Sequence, residues 1–106
     1  MSNEQHCNVK TNKEREMVIS LADKLKSIAH PARLCIVKTL FYRGKCNVSF
    51  FSSCMPISQS NLSQHLTKLR DLGIVMATRS GQEIYYSLAD NDIKKVVNVL
   101  FAKEEI

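Results

Sequence analysis

A mainly α-helical fold with one small β-hairpin, in the order α-α-α-α-β-β-α, is predicted by three observations. Apolar residues recur at helical spacing in separate stretches, each bounded by a capping residue, a proline or a glycine. A single pair of runs with strand character flanks a Ser80-Gly81 turn. The length, 106 residues, suits one domain with a real core and needs no disulfide or metal staple.

Residues 1–10 are polar and read as a flexible N-terminal arm, leaving 11–106 as the single domain. Thr11 and Glu14 have the T-x-x-E spacing of a capping box. Met17, Val18, Leu21, Leu25 and Ile28 then mark one face of a helix running to about Ala29. His30-Pro31 ends it, because a residue before proline is pushed out of the helical region. Pro31 also suits the start of a second helix, Ala32 to Arg43, with Leu34, Val37, Leu40 and Phe41 inward and Gly44 as its stop. Asn47 caps a short third helix through Cys54, with Val48 and Phe51 turned inward and Pro56 closing it.

The fourth helix is the best defined. Ser58 caps it, Leu62, Leu66 and Leu69 line one stripe, and Gly73 stands just past its end. Opposite the leucines lie Ser60, Ser63, Gln64, Thr67 and Lys68. From Ser58 to Arg70 there is no acid, whereas a merely solvated face ordinarily gathers Glu-Lys pairs. Short neutral hydrogen-bonding side chains with cations are what base edges and phosphates use. Lys68, Arg70 and Arg79 are the phosphate candidates. Arg33 is either a further one or an internal partner, and His65, at the flank of the stripe, reads as a partly buried structural histidine.

Ile74 to Arg79 and Glu83 to Leu88 form the hairpin, with Ile84, Tyr86 and Leu88 alternating with Tyr85 and Ser87. Asp90 caps a last helix whose Ile93, Val96, Val97, Leu100 and Phe101 share a face. Two short helices joined by a tight turn and followed at once by a hairpin make a winged helix-turn-helix.

Composition narrows the function classes. Fifteen Lys and Arg against ten Asp and Glu give a net charge of +5, which favours a polyanionic partner. No secretory signal and no apolar run of membrane-spanning length is visible, so the expectation is a cytoplasmic protein without a membrane partner. Three histidines in unrelated settings, with no nucleophile elbow, phosphate loop or dinucleotide fingerprint, argue against an enzyme. The four cysteines, Cys7, Cys35, Cys46 and Cys54, contain no C-x-x-C pair, and in a reducing compartment they read as free thiols, ligands or redox sensors.

Three segments carry a family resemblance: LKSIAHPARLCIVKTL (Leu25 to Leu40), ISQSNLSQHLTKLRDLGIV (Ile57 to Val75) and TRSGQEIYYSL (Thr78 to Leu88). In order and spacing they resemble the signature segments of the ArsR/SmtB repressors and span most of the chain. The resemblance implies a homodimeric repressor on a palindromic double-stranded operator, released by a metal ion or a thiol-reactive or redox signal. It places Gln59, Ser60, Ser63 and Gln64 where the recognition helix meets DNA. It also places the dimer interface on the terminal helices, here Met17, Leu21, Ile93, Val96, Val97, Leu100 and Phe101. By periodicity alone the last five complete a monomer core equally well.

The wing departs from the family's basic tip, since Gln82 and Glu83 leave Arg79 alone there. The family's zinc site on the last helix needs histidine, and Asp90, Asp92, Glu104 and Glu105 come without one. Its third-helix site uses a C-x-C pair, of which Cys46-Asn47-Val48 keeps one member. A thiophilic metal or metalloid site from Cys46, Cys54 and the partner subunit's Cys7, a redox switch at these thiols, and no cofactor at all therefore stand as alternatives. So does a different class altogether, a winged-helix protein-interaction module or a constitutive regulator with no small effector.

Overall fold

The computed structural model describes residues 11–102. Five helices and three strands follow in the order α1 (Asn12–Ile28), α2 (Pro31–Arg43), β1 (Lys45–Asn47), α3 (Val48–Cys54), α4 (Gln59–Asp71), β2 (Val75–Ser80), β3 (Glu83–Leu88) and α5 (Asn91–Phe101). The expected arm with Cys7, and likewise Glu104 and Glu105, lie outside the described residues.

The element ends show why the chain breaks where it does. The Thr11–Glu14 capping box forms reciprocally, with the Glu14 amide donating to Thr11 Oγ1 at 3.0 Å and the Thr11 amide to Glu14 Oε1 at 3.3 Å. His30 is more than a breaker: its Nδ1 accepts from the Ala32 amide at 3.0 Å and so caps α2. Gly44, at φ 89°, receives the end of that helix. Asn47 and Ser58 cap α3 and α4 through the Phe50 amide at 2.9 Å and the Asn61 amide at 3.1 Å.

One core gathers every element. Ile36, Leu40, Phe51, Leu62, Leu66, Leu69, Ile74, Ile93 and Val97 are all but inaccessible. Each such burial is worth about 1.5–3 kcal/mol, which fixes α4 on α2 and α3 through its leucine stripe. α5 is anchored at both ends. Asp90 Oδ2 accepts from the Ile93 amide at 2.9 Å, and its carboxylate also pairs with Lys24 of α1 at 2.7 Å. Burial alone would raise the Asp90 pKa, but the bonds from Lys24 and the Ile93 amide prevail and lower it. At the far end the Tyr42 hydroxyl donates to the Phe101 carbonyl, and the Lys38 ammonium lies 4.8 Å from the Phe101 ring centroid.

The sheet differs from a lone hairpin. β1 pairs antiparallel with β3 (Cys46 opposite Tyr86), giving the order β1-β3-β2. Three residues after a glycine are too few to show alternation, so nothing in the sequence signals this strand. The two-residue turn is Gly81-Gln82 rather than Ser80-Gly81, because Ser80 still pairs with Glu83. Gly81 supplies the positive φ, 65°, that such primed turns demand.

Two expected apolar faces divide. On α1, Ile28 is buried and Leu21 half-buried, while Met17 is 55% and Leu25 48% exposed. On α5, Ile93 and Val97 belong to the core within one chain, so neither is free to meet a partner, whereas Leu100 remains 50% exposed. Val96 and Phe101 are partly buried against that core. The helical period alone cannot separate the two sides of so wide a stripe.

Candidate nucleic-acid interface

α3 and α4 meet at a tight turn through Met55 to Ser58, with Phe51 and Met55 buried beneath it. Since the leucine stripe holds α4 from below, its other side faces outward along the whole helix. Gln59, Ser60, Ser63, Gln64, Thr67, Lys68 and Arg70 are all exposed. Ser63, Gln64, Thr67 and Lys68 line one shallow depression whose far wall is Asp71, so the acid-free face ends at the last helical residue. With no acid in the first turn and Lys68 and Arg70 in the last, the leading end presents the free amides and positive dipole of a helix N-terminus.

The helix leaves this face through a Schellman stop. The Gly73 amide donates to the Arg70 carbonyl at 2.9 Å, and the Ile74 amide to the Leu69 carbonyl at 2.9 Å. Gly73 takes φ 75°, and Ile74, fully buried, starts the path into β2. The hairpin is therefore attached rigidly to the end of α4.

At the hairpin tip, Arg79 is exposed and its guanidinium folds back toward the Gly81 carbonyl at 3.4 Å. Glu83 does not compete with it freely, because its carboxylate accepts from Asn47 Nδ2 at 3.0 Å. Asn47 thus caps α3 with one side-chain atom and holds the wing with the other. The tip offers one cation and a partly occupied acid, and it lies on a different element from the α4 cluster.

His65 is half-buried where α4 meets the start of α2. Its Nδ1 accepts from Arg33 Nε at 3.1 Å, its ring centroid lies 4.7 Å from that of His30, and Arg33 Nη1 also donates to the Ser27 carbonyl at 3.2 Å. Burial, then the neighbouring His30 and Arg33, lower the His65 pKa. Arg33 is thus an internal partner, in keeping with one of its two sequence readings. That it pairs with His65 was not visible, because residues separated by 32 positions carry no common periodicity.

Cys46 and Cys54 are near enough to act on one another electrostatically, but among the described residues no third ligand joins them. Cys46 is 3% exposed on β1, and burial pushes its thiol up, with Arg43 pulling the other way. A raised, buried thiol is a poor nucleophile and a poor ligand. Cys54 is exposed at the end of α3, its Sγ 3.7 Å from the Phe51 carbonyl, and Cys35 is exposed on α2. Among the described residues, no three His, Cys, Asp or Glu side chains lie together as a metal site would require, and Cys7 is outside them. Among the same residues no helix is long and apolar enough to cross a membrane.

Residues 30–77 match the model of the arsR family of bacterial regulatory proteins. The transcriptional repressor PagR of Bacillus anthracis is 37% identical over 79 residues, covering 74% of this chain and 79% of that protein. Its crystal structure superposes with a TM-score of 0.75 at 34% identity, over 81% of this chain and 98% of that one. Reduced HlyU from Vibrio cholerae N16961 superposes with a TM-score of 0.80 at 28% identity, covering 91% of this chain and all (100%) of that one.

Proposed function

Because this chain belongs to the arsR family of bacterial regulatory proteins, we propose that it is a transcriptional repressor that binds double-stranded DNA through α4. The observation that carries this reading is the exposed, acid-free face from Gln59 to Arg70, held outward by three buried leucines. Gln59, Ser60, Ser63, Gln64 and Thr67 are the candidates for base edges, where glutamine can pair bidentately with adenine and serine suits several bases. Lys68, Arg70 and Arg79 are assigned to phosphates, which set position without reading sequence.

The working unit is a homodimer on a palindrome. Met17, Val18 and Leu25 of α1 and Val99 and Leu100 of α5 stay exposed, a concentration of apolar surface that a second copy would cover. Leu21, Leu25 and Val96 line the groove between these helices. A two-fold axis there sets two α4 helices against successive turns of one DNA face.

Release from the operator by a thiophilic metal ion or an oxidant rests on the cysteines. Cys54 is the open point of attack, and Cys46 can take part only if β1 gives up its place in the core. Titrating the DNA complex with cadmium, arsenite and a mild oxidant tests this part: release from wild type but not from Cys54→Ser supports it, and equal behaviour of the two removes it.

The DNA reading itself is tested by binding to the gene's own upstream DNA across a salt series. Neutralising several phosphates makes the affinity fall steeply, by about tenfold or more between low and moderate salt. An affinity that ignores salt would remove the phosphate contacts from the reading.

A further inference from the structure

We propose that Arg33 is a positioning residue for α4, tying His65 in the middle of that helix to the last turn of α1, and that the tie holds only while His65 is unprotonated. The proposal rests on α4 being the DNA-binding helix. Arg33 bonds to both α1 and α4, which lie side by side around the depression that Asp23, Ser27 and Lys68 line. Its Nη1 donates to the Ser27 carbonyl at 3.2 Å, and its Nε donates to His65 Nδ1 at 3.1 Å. Ser27 is itself buried and fixed, with its hydroxyl donating to the Lys24 carbonyl at 2.7 Å. Arg33 therefore spans from the end of a helix assigned to the dimer interface to one assigned to DNA.

The hydrogen bond fixes the histidine's chemistry. Nδ1 must offer a lone pair, so the ring is neutral with its proton on Nε2. A proton added at Nδ1 would set an N–H against the Arg33 N–H and one cation against another, and the two side chains would have to part. Beside the His65 ring, His30 Nδ1 accepts from the Ala32 amide at 3.0 Å. The lowered pKa of His65 fits this setting.

No carboxylate is among the groups that act on His65. Those groups are His30, the cap of α2, and Arg33 on α2. Asp23 and Lys26 of α1, with Lys68 of α4, line the adjoining depression beside Arg33. α3 brings Cys54 as its only titratable side chain, and Arg79, the only charged residue of β2, lies toward the hairpin tip.

Two measurements on the full chain test the proposal. The first needs no DNA: imidazole NMR titration with amide hydrogen exchange along α4. In wild type, the protection factors of α4 amides, in which the intrinsic pH dependence of exchange cancels, fall as His65 takes its proton, while Arg33→Met shows the lower protection at both ends of the titration. The second is the ratio of affinities for the gene's upstream DNA and a scrambled duplex, in which the general gain of positive charge in acid cancels. Between about pH 8 and about pH 5.5 the wild-type ratio falls by about fivefold.

His65→Asn, whose Oδ1 can accept at the place of Nδ1 but cannot be protonated, keeps the ratio constant across that range. Arg33→Met has the lower ratio throughout. A merely structural Arg33 would lower stability yet leave the wild-type pH profile intact, and that result overturns the proposal. So does an acid response abolished by His30→Asn but retained by His65→Asn. If neither duplex is bound at any pH the DNA reading fails, and the exchange measurement still decides whether the tie exists.

Discussion

Replacing Gly73 by alanine isolates the backbone's share in ending the recognition helix. Gly73 lies at φ 75°, and a Cβ placed there meets no atom within 4 Å. Steric clash therefore contributes nothing, and the cost is conformational. A left-handed L-residue costs roughly 1–2 kcal/mol. Alanine also narrows the unfolded ensemble, which offsets roughly 0.4–1 kcal/mol of that. Taking the middle of each range, the net expectation for Gly73→Ala is a loss of roughly 0.8 kcal/mol. Gly73→Asn should lose less, because asparagine tolerates this region better. Urea unfolding at one fixed protein concentration measures both, since a dimer's stability varies with concentration. An alanine variant as stable as wild type would refute the left-handed stop. A loss above about 3 kcal/mol would show that the open space around Gly73 is closed in solution.

Three further outcomes follow from burial and charge. Ile93→Ala should destabilise the fold by roughly 2–5 kcal/mol in denaturant unfolding, because its side chain is fully enclosed within one chain. The pair Met17→Glu and Leu100→Glu should change monomer stability little but give a monomer by sedimentation at micromolar concentration, since both positions are exposed; a dimer that persists would move the interface elsewhere. Asp90 has a folded pKa below its ordinary value of 3.8, so its stabilising effect is complete above that value and is lost as pH falls through the folded one. Wild type should therefore lose its advantage over Asp90→Asn on acidification below about pH 4, and a constant difference between the two down to strong acid would contradict the pairing.

Most of the fold can be read in the chain because local signals coincide there. Thr11, Asn47, Ser58 and Asp90 each cap a helix through their own side chains. Gly44 and Gly73 each follow a helix end with positive φ. These are short-range features, and a linear sequence preserves them. β1 was not legible, because its existence depends on β3 arriving alongside from 36 or more residues away, as the Asn47–Glu83 bond illustrates. The division of the α1 and α5 stripes was not legible either. Ile93 and Leu100 have the same apolar character, and only packing against α2 decides which is enclosed. For the site, the outward face of α4 followed from the leucine period, whereas the Arg33–His65 bond needed the tertiary structure.

The role of α4 is tested most directly by the affinities of wild type, Gln64→Ala and Lys68→Ala for the upstream DNA and a scrambled duplex, by fluorescence anisotropy at one moderate salt concentration. Wild type should prefer its own upstream DNA, Gln64→Ala should lose about 1 kcal/mol or more of that preference, and Lys68→Ala should weaken both duplexes alike. Equal binding of both duplexes by wild type, or identical losses in the two variants, would contradict the assignment of α4 as the helix that reads sequence.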